Sequence, residues 1–212
     1  MKRIILIYFL GFFIICCCTK EKKVAKPNVL FIAVDDLRTE LVVYGSMVKS
    51  PNINAIANKG ALFTKHYVQA PTCGASRHAL LTGYRPWKPI HLSNQAIEKE
   101  LSDRPEDSIA ETFIHRFKQV GYHTVGIGKI SHSADGLVYG YEEQPSQKRE
   151  LPHSWSELLF NPGKWKTGWN AFFAYANGEN RQSLKKQVKP YEAGEVEDDG
   201  YPDGLTAELA VS

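Results

Sequence analysis

The apolar residues of this chain fall into two kinds of segment. Residues 28–34 (N-V-L-F-I-A-V) form a nearly continuous run rich in β-branched side chains. Such a run predicts a strand buried on both faces, as in a parallel sheet. It ends on two adjacent acids, Asp35 and Asp36. Residues 51–59 (P-N-I-N-A-I-A-N-K) place Ile53, Ile56 and Ala57 at helical spacing, with Gly60 as a C-terminal stop. A second strand is predicted over 61–68 and a short helix over 76–81, closed by Thr82-Gly83. The clearest helix is 107–120, where Ser108 and Glu111 can form a capping box and Ile109, Phe113, Phe117 and Val120 an apolar stripe. Gly121 stops it, and 122–127 predicts a third strand running into Gly128-Lys129. Strands alternating with helices predict an α/β fold: a doubly wound, mainly parallel sheet with helices on both faces and ligands at the carboxyl ends of its strands. Asp35, Asp36 and Lys129 all fall at such ends.

Beyond residue 131 the periodicity dissolves. Residues 131–189 are rich in Gly, Pro and polar side chains and hold three of the four tryptophans, Trp155, Trp165 and Trp169. So long an irregular stretch in a compact domain predicts cover over a site. Residues 192–203 carry six acids and no base, which reads as a solvated loop rather than a metal site. Residues 204–212 begin another helical pattern.

The 212 residues have a net charge of +3, with five bases and one acid among the first 23. The remainder is close to neutral and lacks the basic footprint of a nucleic-acid-binding protein. Those first residues run from Met1-Lys2-Arg3 through an apolar stretch, 4–15, to Cys16-Cys17-Cys18 and a polar segment. The stretch is short for a membrane span. The order of basic, apolar, cysteine and polar resembles a bacterial lipoprotein signal peptide, cleaved ahead of Cys17 or Cys18, with an uncleaved apolar anchor as the alternative. Either way the chain is exported, and a lipoprotein of the bacterial cell envelope is expected. This divides the sequence into a signal peptide at 1–18, a linker at 19–27 and a catalytic-type domain at 28–212. After the signal, Cys73 is the only cysteine, so it has no intramolecular disulfide partner in the folded body.

Around that thiol the chain reads Cys73-Gly74-Ala75-Ser76-Arg77-His78-Ala79-Leu80-Leu81-Thr82-Gly83. Together with P-N-V-L-F-I-A-V-D-D-L-R before it and S-P-N-I-N-A-I-A-N-K-G-A-L-F-T between, this resembles the sulfatase family of the alkaline-phosphatase-like superfamily. Gly128-Lys129-Ile130-Ser131-His132 has the Gly-Lys-x-x-His spacing similar to the iduronate-2-sulfatase-like branch. The resemblance implies that Cys73 is oxidised to Cα-formylglycine. The hydrated aldehyde offers two hydroxyls on one carbon: one attacks sulfur and expels the alcohol, and deprotonation of the other ejects sulfate. It also implies Ca²⁺ held by Asp35, Asp36 and residue 73, Arg77 balancing charge beside the nucleophile, Lys129 gripping sulfate oxygens and His132 at the sulfate or leaving oxygen. The other histidines (His66, His78, His91, His115, His123, His153) read as structural.

The expected activity is hydrolysis of carbohydrate sulfate esters, with 2-O-sulfated uronates of glycosaminoglycans as the leading substrate. Ala75 stands where proline is commoner in the family, pointing to a radical, anaerobic type of maturase. Further metal ligands and a substrate-binding residue of the family have no counterpart here. The chain is therefore expected to be an N-terminal portion with an incomplete sheet and little activity alone, with a complementary C-terminal polypeptide as a possible partner. Two rival readings are a phosphonate or phosphate monoester hydrolase of the same superfamily, and an inactive envelope protein binding carbohydrate through Trp155, Trp165 and Trp169.

Overall fold

The structure is a computed structural model and describes residues 25–109, 112–138 and 146–212. Cys16, Cys17 and Cys18, expected in a signal peptide, and Glu111, expected in a capping box, lie outside the described residues. The chain divides into two units, residues 1–32 and 33–212. Of the first, residues 25–32 are described; they carry no regular secondary structure and are exposed.

The larger unit contains α1 (Pro51–Lys59), α2 (Cys73–Thr82), α3 (Phe113–Gln119), β1 (Val125–Gly126), β2 (Glu157–Leu158), α4 (Gly168–Phe172) and α5 (Pro202–Val211), joined by short 3₁₀ turns and one π-helical turn. Strands β1 and β2 pair in parallel, Val125 opposite Glu157 and Gly126 opposite Leu158. Among the described residues this small parallel sheet flanked by helices is the only named sheet. No described helix is long and apolar enough to cross a membrane.

Two of the three predicted strands do not form. Residues 28–34 and 61–68 join no strand ladder among the described residues, and Leu30, Ile32, Val34, Phe63, Tyr67 and Val68 are all more than half exposed. An all-apolar strand gains its stability from helices on both faces and from neighbours on both edges; without them it has no ladder to join and no surface to bury. The third shrinks from 122–127 to two residues, with β2 its one partner among the described residues.

The helices follow the sequence more closely. Pro51–Lys59 is helical with Pro51 in the first turn, although Ile53 and Ile56 remain exposed. The helix expected over 107–120 is confined to α3, because Thr112 rather than Ser108 caps it: the Thr112 hydroxyl accepts from the His115 N–H. Ser108 instead closes a 3₁₀ turn. Helix α2 begins three residues earlier than predicted and ends at Gly83, whose φ of +72° suits a left-handed C-cap. Its buried face joins Leu81 to Ile97, Leu101, Ile114, Leu151 and Trp155 in one core cluster.

Candidate active site

Helix α2 places Cys73 in its first turn and Arg77 one turn further along the same face. The Thr72 side chain makes no capping bond. Instead Asn94 reaches in, its Oδ1 accepting from the Gly74 N–H at 2.9 Å. The approach is so close that a Cβ on residue 74 would lie 2.4 Å from the Asn94 carbonyl oxygen, which explains glycine there.

Four predicted residues converge. The Asp35 carboxylate accepts from Arg77 Nη2 at 2.9 Å through Oδ1 and from Lys129 Nζ at 2.6 Å through Oδ2. Lys129 Nζ also donates to Cys73 Sγ at 3.1 Å, and the thiol faces Asp35 Oδ1 at 3.7 Å. The His132 side chain also acts on the Cys73 thiol, lowering its pKa. Arg77 does more than balance charge: its Nη1 donates to the carbonyls of Lys129 and Ile130, at 2.9 and 2.8 Å. One guanidinium thus ties the helix carrying the nucleophile to the loop carrying Lys129 and His132.

The electrostatics follow from these contacts. Burial by itself raises the Cys73 thiol, but hydrogen bonds from His132 and Lys129 and the ammonium charge outweigh it, against a smaller opposing push from Asp35; the thiol ends below its ordinary value. Burial likewise pushes Asp35 up, and Lys129 and Arg77 more than reverse it. The result is a thiol held below its ordinary value beside the Lys129 ammonium.

Asp36 is not drawn into this cluster. It is exposed and its backbone adopts φ +49°, in the left-handed region. Two adjacent carboxylates suit a hard cation chemically, but Ca²⁺ takes about six to eight oxygen ligands. Both Asp35 oxygens are engaged by cations of the chain itself, and among the described residues no three Asp, Glu, His or Cys side chains gather as a metal site. As placed, Asp35, Asp36 and Cys73 do not fit Ca²⁺. The acidic 192–203 segment does not gather into one either: Glu195, Glu197, Asp198 and Asp199 are exposed.

Three contributors carry no signal in the sequence. Asn94 caps α2 from a turn 20 residues away. Phe172, at the end of α4, lies with its ring 4.2 Å from Lys129 Nζ, a cation–π contact at the edge of the site. Glu150, only 4% exposed, accepts from the backbone N–H groups of His132 and Ser133, both at 2.9 Å. Of the tryptophans expected to bind carbohydrate, Trp155 and Trp165 are core residues, 5% and 0% exposed, and present no face to a sugar.

A thiol in the first turn of a helix, with a lysine ammonium and a guanidinium beside it, is chemically suited to an anionic ligand. The comparisons agree. The family profile described as Sulfatase matches residues 27–211. A sulfatase of Formosa agariphila is 35% identical over 167 residues, 72% of this chain and 33% of its own length. Mouse iduronate 2-sulfatase is 29% identical over 185 residues, 87% of this chain and 31% of its own. A choline-sulfatase of Rhizobium meliloti is 29% identical over 167 residues, covering 77% and 31%. No solved structure matches the chain significantly. The chain belongs to the sulfatase family, and it spans about a third of the length of the curated relatives it matches.

Proposed function

We propose that this chain supplies the nucleophile-bearing part of a sulfuric ester hydrolase. The observation that carries the reading is the meeting of Cys73, Lys129, His132 and the Arg77–Asp35 pair at the start of α2. Residue 73, converted to formylglycine, is the attacking group. Lys129, held by Asp35, offers its ammonium to sulfate oxygens, where it offsets the charge that builds up as sulfur is attacked. His132 would take a proton from the nucleophile or return one to the departing oxygen. Arg77 fixes the distance between helix and loop on which both contacts depend. Metal ligation by Asp35, Asp36 and residue 73, implied by family resemblance, requires Asp35 to release Lys129 or Arg77.

The substrate class proposed is a sulfated carbohydrate, with 2-O-sulfated uronates of glycosaminoglycans first. Gly128-Lys129-Ile130-Ser131-His132 and the similarity to an iduronate 2-sulfatase support it. The wider fold proposed is the doubly wound alkaline-phosphatase-like sheet, with 28–34 and 61–68 as strands awaiting neighbours. Export as an envelope lipoprotein, maturation by a radical-type enzyme that tolerates Ala75, and assembly with a complementary C-terminal polypeptide belong to the same proposal.

The test is a paired assay on protein purified from its native envelope, using the sulfate and the methylphosphonate monoester of one phenol. Faster turnover of the sulfate is expected. Preference for the phosphonate would move the protein to the phosphonate or phosphate hydrolases of the superfamily. Absence of turnover with residue 73 still a thiol would contradict the enzyme reading altogether.

A further inference from the structure

We infer that Glu150 is a positioning residue for the site, acting through His132; the inference rests on residue 73 being the reacting position. The loop from Gly128 to Ser133 is gripped from two sides. Arg77 takes its carbonyls, at Lys129 and Ile130. Glu150 takes its N–H groups: Oε2 accepts from His132 N and Ser133 N, both at 2.9 Å, and from Ser133 Oγ at 2.8 Å. The loop is thereby fixed in height and tilt by two opposite charges, and with it the backbone of His132, whose side chain acts on the Cys73 thiol.

Two further features separate this carboxylate from an ordinary buried acid. Among the described residues Glu150 has no cationic partner, although it is 4% exposed. A buried charge is costly, and here three hydrogen bonds from the loop are what compensate it. The chain also accepts strain to deliver it. Leu151, the next residue, is a non-glycine at φ +51°, 2% exposed in the core cluster, with its N–H donating to Ser102 Oγ at 3.1 Å. That left-handed turn lets Leu151 enter the core while Glu150 points back to the loop. On the other side Glu150 N–H donates to the Gly136 carbonyl at 2.8 Å, and Arg149 bridges Leu137, so the chain beyond His132 returns Glu150 to the segment it left. Strain of this kind persists where surrounding contacts over-determine it, and here the core, Ser102 and Gly136 hold the turn while the carboxylate reaches His132 and Ser133.

The test uses the full chain expressed without a maturation enzyme, so that residue 73 keeps its thiol. Two quantities are read: amide exchange of the peptide spanning 129–134, and the rate of Cys73 alkylation by iodoacetamide at one fixed neutral pH, followed by peptide mass spectrometry. Glu150→Ala is expected to speed exchange at 132–133 by about tenfold or more and to slow alkylation about three- to tenfold by withdrawing His132 from the sulfur. Glu150→Gln, which keeps an acceptor oxygen in place, restores most of both. In a His132→Ala background Glu150→Ala has no further effect on alkylation, and the remote core substitution Ser154→Ala leaves alkylation unchanged in either background. If Glu150→Ala does not fold, Glu150→Asp, which retracts the carboxylate by one methylene, carries the same prediction. Unaltered exchange and alkylation in a folded variant overturn the inference. So does an equal slowing with and without His132, which would make Glu150 a support of the fold alone. Neither readout needs sulfate-ester turnover, so failure of the sulfatase reading and failure of this one are told apart.

Discussion

Helix α2 carries Cys73 and Arg77 on one face and His78 on the other, and that back face makes the site acid-sensitive. His78 is 2% exposed and its ring lies 4.6 Å from that of His91. Burial first, and then the neighbouring imidazole, push His78 from an ordinary 6.5 down to about 4, with Glu100 opposing and Lys88 adding a little. A base lowered in this way is neutral in the folded protein at pH values where the unfolded chain has already bound a proton. The stability it contributes is complete above about pH 6.5 and is lost as pH falls toward about 4. At about 1.4 kcal/mol per tenfold change in proton affinity, the full window is worth about 3 kcal/mol, a large part of a domain's typical margin. The assay is urea denaturation followed by tryptophan fluorescence at pH 7, 5.5 and 4.5, on the full chain and on His78→Phe, which keeps a ring and cannot titrate. The unsubstituted chain should lose roughly 2–3 kcal/mol across that range, and the variant distinctly less. Parallel losses in the two proteins would refute the assignment of the effect to His78.

Four more outcomes follow from named contacts. Lys129→Met, which removes the ammonium 3.1 Å from Cys73 Sγ, should slow alkylation of that thiol at neutral pH by roughly tenfold; an unchanged rate would remove Lys129 from the site. Trp165→Ala empties a fully buried position whose Nε1 donates to the Tyr175 and Glu179 carbonyls, both at 3.0 Å, and should cost about 3–5 kcal/mol in a denaturant titration. Less than about 1 kcal/mol would show that the 165–180 region is not the core it forms here. Gly74→Ala drives a methyl into the Asn94 backbone and should cost about 1–3 kcal/mol, read in the same way. Calorimetric titration of the chain with Ca²⁺ should show no binding tighter than about millimolar, because Asp35 is already paired on both oxygens; submicromolar binding would contradict that geometry.

What the sequence reveals and what it hides divide along a physical line. Pro51–Lys59 was readable because its limits are local: a proline at the first turn and a glycine past the last. The start of α2 was not, because it depends on Asn94, and the start of α3 was misplaced because Thr112 competes with Ser108 for the cap. The runs at 28–34 and 61–68 are legible as apolar segments, but a ladder is a property of two segments, and neither run forms one among the described residues. At the site, Cys73, Arg77, Lys129 and Asp35 stand in a recognisable string and the fold brings them together. Glu150 and Phe172 come from the aperiodic 131–189 stretch, where no spacing rule connects a residue to the loop it supports. From this stretch α4 sets the Phe172 ring against Lys129. Two of its tryptophans, Trp155 and Trp165, are buried, Trp155 in the core cluster with Leu81.

The most direct test of the account is the mass of the peptide containing residue 73, in protein taken from its native envelope. Conversion of the thiol to formylglycine lowers that mass by about 18 Da, and the account predicts this shift. An unmodified cysteine throughout would contradict it, leaving a thiol held by Lys129 and His132 with no sulfate-ester chemistry to perform.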